Sequence, residues 1–89
     1  MNPTRGERPA DLVSLARLSP GEEGEIVRIQ SLSRARTARL GAFGVSPGAI
    51  VTLLQKLPAF VIRVEETELG LDDEVARDII VRRIKHSGH

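Results

Sequence analysis

The sequence predicts a small, mostly-β domain with one or two short helices, and three observations carry that expectation. Stretches such as "EIVRIQ" and "FVIRVEE" alternate apolar and polar side chains, the period of a half-buried strand. Two Ser-Pro-Gly turns, at residues 19–21 and 46–48, each lead into a β-like run. Between them, "RARTARLGAF" places small apolar residues at helical spacing. At 89 residues the chain forms one domain. A domain of this size buries roughly 60–65% of the surface its unfolded chain exposes. Trp and Tyr are absent and only Phe43 and Phe60 are aromatic, so the core must be aliphatic.

Residues 1–10 show no periodicity and read as a flexible tail, residues 11–84 as the domain, and residues 85–89 as a second tail. Leu12, Val13, Leu15 and Leu18 make an apolar approach to the first turn. There Pro20 presets φ, and Gly21 supplies the positive φ of a type II turn. In the strand that follows, Val27 and Ile29 share one face, with Arg28 and Gln30 on the other. Ser33 is placed to cap a helix, because its hydroxyl can accept from a free first-turn amide. Ala35, Ala38 and Ala42 form a shallow stripe suited to packing on a sheet, which leaves Arg34, Arg36 and Arg39 outside. Gly44 suits the left-handed position just beyond the helix, with Val45 folding back on Leu40.

Pro47-Gly48 then turns the chain into "AIVTLLQKL". Here Val51, Leu53 and Leu57 fall on one face, and Ile50 and Leu54 on the other. Apolar residues on both faces predict a central or barrel-closing strand. Phe60, Ile62 and Val64 point inward from the next strand, and "TELGLDD" returns as its hairpin partner. Asp72, Asp73 and Glu74 open a short helix where negative charge suits the N-terminal dipole. Val75, Ala76 and Ile79 are its apolar face, and "IIVRRI" closes the domain as a strand.

The residue inventory argues against an enzyme. Without cysteine there is no disulfide, thiolate metal site or thiol nucleophile. His86 and His89 sit in a Gly-Ser tail, where no helix holds them on one metal. The acidic run from Glu65 to Asp78 lacks the residue order of a calcium loop. No Lys-Ser or Lys-Thr follows the glycines, so the second turn is not a phosphate loop. Catalytic, cofactor-binding and metal-ligating residues are therefore all expected to be absent. With no apolar leader and no run of membrane-spanning length, a cytoplasmic protein without membrane insertion is expected.

Net charge is +1 but unevenly spread. From Ile26 to Arg63 there is no acid, whereas Glu65, Glu66, Glu68, Asp72, Asp73, Glu74 and Asp78 face a single arginine, Arg77. Either the two blocks neutralise each other across neighbouring elements, or the helix arginines await a partner. Scarce aromatics disfavour a nucleic-acid partner bound by base stacking.

The segments "LARLSPGEEGEI", "RLGAFGVSPGAIVTLL" and "LPAFVIRVEETELGLDDEVARDIIV" together resemble the FeoA family of ferrous iron transport proteins. Arg39, Leu40, Gly44, Pro47 and Gly48 match its helix-turn motif, and Ala76, Ile79 and Val81 its closing helix and strand. The resemblance implies an SH3-like small β-barrel with a helix packed across it. It also implies a non-enzymatic accessory role in iron homeostasis, binding and modulating the membrane ferrous iron transporter FeoB, with transition metal ion binding known only at the level of the family. Arg34, Arg36, Arg39 and Leu40 are the candidate partner-binding residues, and Gly44, Pro47 and Gly48 form the structural turn. Self-association is left open. The alternative is a nucleic-acid-associated or metal-dependent-regulator-type domain, since the same barrel closes DtxR-type repressors; phosphate contacts would then make binding steeply salt-dependent.

Overall fold

A computed structural model describes residues 11–30 and 32–84. Six strands and two short helices follow in the order β1 (Leu12–Ser14), a 3₁₀ turn (Leu15–Arg17), β2 (Glu23–Ile29), α1 (Arg34–Ala42), β3 (Ile50–Gln55), β4 (Phe60–Val64), β5 (Thr67–Leu71), α2 (Asp73–Asp78) and β6 (Ile79–Ile84). The tails expected at residues 1–10 and 85–89, with His86 and His89, lie outside the described residues.

All pairings are antiparallel, in the order β1-β6-β2-β3-β4-β5. The mostly-β expectation holds, but the closed barrel does not. β1 is three residues long and pairs along its whole length with β6, while β5 pairs only with β4, so among the described residues two edges stay open.

The core is aliphatic throughout. Leu15, Leu18, Val51, Leu53, Ile62, Ile79 and Val81 are fully excluded from solvent. Each such large side chain contributes about 1.5–3 kcal/mol relative to leaving it exposed. From β2 the core takes Ile26 completely and Ile29 in part, whereas Val27, expected on the face of Ile29, stays half-buried and does not join it. The cause is a bulge: Ile26 pairs with Val81 and Arg28 with Ile80, so Val27 is the extra residue and the alternation slips there. A second register shift lies between Leu53 and Gln55 in β3. That strand is central, as expected, but its second face is open. Ile50 stays 45% exposed, and Leu57 lies beyond the strand at 83%, not on the inner face beside Leu53.

The two Ser-Pro-Gly turns share one geometry. Ser19 and Ser46 accept from the amides three residues on, at 2.9 and 3.0 Å, with Gly21 at φ 92° and Gly48 at φ 97°. These are type II turns. Each turn also bonds to the strand that follows the other. Gly21 N–H donates to Leu53 at 2.7 Å, and Gly48 N–H donates to Ile26 at 2.8 Å. The repeated motif thus locks β2 to β3 from both ends.

Candidate functional site

α1 is built largely from local signals. Ser33 Oγ accepts from Arg36 N–H at 3.2 Å, the expected N-cap. At the other end, Val45 N–H donates to Leu40 C=O at 3.0 Å and Gly44 N–H to Gly41 C=O at 2.9 Å, with Gly44 at φ 91°. These are the two bonds of a Schellman ending. Val45 enters the core, and Leu40 packs against it.

The buried face of α1 is the reverse of the one expected. Ala35, Ala38 and Ala42 are exposed; Thr37 and Leu40 are the half-buried residues, and the helix buries none completely. Size decides this. A methyl group offers less than about 1 kcal/mol of burial, whereas Leu40 is the one large aliphatic side chain of the helix. Leu32, just before it, packs on the core with Leu40. The sequence signal that identifies the inner face is therefore the pair of leucines, not the alanines.

This rotation separates the arginines. Arg36 comes onto the flank of the inner face and approaches Asp72 at 3.7 Å, joining the basic and acidic blocks. Arg63 and Glu68 do likewise across β4 and β5 at 3.6 Å. Neutralisation between the blocks is thus real but partial, and exposed pairs of this kind contribute little. Arg34 and Arg39 flank the alanine stripe, and neither makes an ion pair among the described residues.

Two depressions adjoin these groups. A cleft of about 200 Å³ separates α1 from the end of β5. Its walls are Arg36, Arg39 and Leu40 on one side and Gly70, Leu71, Asp72 and Val75 on the other. A wider groove of about 540 Å³ lies over the outer sheet face, with Gly44 and Gly48 at its border. Along its floor Thr52 Oγ1 donates to Glu23 Oε2 at 3.3 Å. Of the expected turn residues, Gly44 and Gly48 take the positive φ that their role requires.

Among the described residues no polar or charged side chain is buried, and no group of three His, Cys, Asp or Glu is placed to hold a metal ion. No helix is long and apolar enough to cross a membrane. What the described residues do present is a thinly attached basic helix beside the edge strand β5.

Fold and site define a small antiparallel β domain with a basic helix set beside the edge strand β5. A family model described as the FeoA domain matches residues 13–83, and the chain belongs to the FeoA family. One similar structure, described as an iron uptake regulatory protein (FeoA), shares 27% identity at a TM-score of 0.72, covering 82% of this chain and 97% of that one. Stenotrophomonas maltophilia FeoA in complex with zinc shares 23% identity at 0.66, covering 75% of this chain and 86% of that one. That protein is described as an SH3 domain protein and suggested as a ferrous iron transport activating factor. The IdeR protein of T. acidophilum shares 19% identity at 0.76; the match covers 86% of this chain but only 36% of IdeR. No curated protein matches the chain.

Proposed function

We propose that this chain is a non-enzymatic accessory protein of ferrous iron transport, which binds the cytoplasmic part of an FeoB-type transporter and modulates it. The observation that carries the reading is the pair Arg34 and Arg39, exposed on a helix with no acid of its own and left without ion pairs among the described residues. Uncompensated surface charge of one sign speeds encounter with an acidic partner and is screened by salt. In this account Arg34 and Arg39 steer the encounter, Arg36 divides its charge with Asp72, and Leu40 holds the helix in place. Family membership supports the iron-transport setting. The repressor likeness supports a second reading, a regulator-type domain, in which the same arginines meet phosphates.

The test is surface binding of the FeoB cytoplasmic part to wild type and to the Arg34→Ala/Arg39→Ala variant at low and moderate salt. A folded variant whose on-rate falls about tenfold at low salt, with the difference closing as salt rises, supports the reading. An unchanged on-rate contradicts it. Binding of random duplex DNA with a log-log salt slope of several units favours the regulator-type reading instead.

A further inference from the structure

Among the described residues β5 ends the sheet with a free edge, and the hairpin geometry shows which of its groups point outward. Val64 and Thr67 flank a two-residue turn, so that pair exchanges ladder hydrogen bonds, as do Ile62 with Leu69 and Phe60 with Leu71. Glu68 and Gly70 alternate with those residues. Their N–H and C=O groups point away from β4, and neither makes a backbone bond outside the ladder among the described residues. Gly70 also lines the cleft under α1. The open edge and the cleft are therefore one surface, and its backbone groups are an unfilled template for another strand.

We infer that this surface takes an extended segment of an acidic partner, added as a seventh strand beside β5. The inference rests on the proposed docking role and specifies how the partner is held. Strand addition supplies main-chain hydrogen bonds, while alternate side chains supply specificity. One face of the added strand enters the cleft, where Leu40, Leu71 and Val75 accept an apolar side chain. Arg39 stands in the same wall without an ion pair among the described residues, and it selects a carboxylate at a neighbouring position on that face. The opposite face of the strand runs past Glu68, so neutral residues fit there. A second copy of the chain is a poor occupant. Antiparallel β5–β5 pairing would crowd Glu66, Glu68 and Asp72 of both copies along one seam, and like charges so placed destabilise a sheet.

The probe is a fluorescein-labelled heptapeptide, Thr-Val-Thr-Glu-Thr-Val-Thr, compared with the same peptide carrying Lys for Glu. Fluorescence anisotropy should show saturable binding of the Glu peptide to the full chain, at least about tenfold tighter than the Lys peptide. Arg39→Glu should reverse that preference. Gly70→Pro removes only an outward-facing donor and should weaken binding by about tenfold or more; an edge strand tolerates proline there. Should that variant fail to fold, hydrogen exchange on the wild type suffices: the Glu68 and Gly70 amides should slow on peptide addition. Equal binding of both peptides, no saturable binding, or protection over the outer-face groove instead overturns the inference. So does a dimer whose Gly70 amide is protected without peptide. Intact FeoB association without peptide binding contradicts this inference alone, and intact peptide binding without FeoB association contradicts the proposed function alone.

Discussion

α1 runs nine residues and buries none of them, whereas α2 runs six and buries Val75 and Ala76. Their ends differ in the opposite sense. α1 has a side-chain cap from Ser33 and a complete Schellman ending, while Asp72 precedes α2 without a side-chain cap bond. α2 is held by its surroundings, since it packs on the 3₁₀ turn and Ser14 Oγ donates to Ala76 C=O at 3.1 Å. A helix stabilised by its own ends needs little from the core, so its other faces stay available. A helix stabilised by burial belongs to the scaffold. This contrast supports the proposed docking at α1 and the neighbouring edge.

Substitutions test the contrast directly. Ala76→Leu inserts bulk where the site is closed to solvent and should cost about 2–3 kcal/mol, whereas Ala38→Leu on the exposed stripe should stay within about 0.5 kcal/mol, both read from chemical denaturation. Equal losses would mean that α1 is packed like α2. Gly44→Val should cost about 2 kcal/mol, because φ 91° resists a β-branched residue and the new Cβ lies 3.3 Å from Val64 Cγ1. Ser33→Ala should cost about 1 kcal/mol by removing the cap bond, and Asp72→Ala less, since Asp72 makes no such bond. Arg34→Ala and Arg39→Ala should each move the denaturation midpoint least, by no more than about 0.5 kcal/mol in stability.

Much of the scaffold was legible in the sequence. Turns, caps and alternation act within a few residues, and so Gly21, Gly44, Gly48 and Ser33 take the roles their local chemistry predicts. The hairpin from Phe60 to Leu71 and the acidic helix follow for the same reason. What was not legible depends on pairing between distant strands. The bulge that sets Ile29 on the side of Ile26 exists only against β6, and no local signal at Val27 marks it. Gly24 is another case. A Cβ there would stand 2.8 Å from Val81 Cγ2, a close approach set by two strands far apart in sequence. The inner face of α1 follows the size of Leu40 and not the spacing of the alanines, and the distinction between Arg36 and the other two arginines follows from it. Closure also depends on distant strands: alternation does not reveal whether the last edges meet.

The central claim is that α1 is a locally held element free to engage a partner, while α2 is part of the core. Amide hydrogen exchange of the chain, alone and with the FeoB cytoplasmic part, tests it most directly. The account predicts that α1 amides exchange at least about tenfold faster than those of α2 in the free chain, because less burial resists their opening. On addition of the partner, protection should rise in α1 and at Glu68 and Gly70 while α2 stays as it was. Equal protection of both helices in the free chain, or partner-induced protection confined to other surfaces, would contradict it.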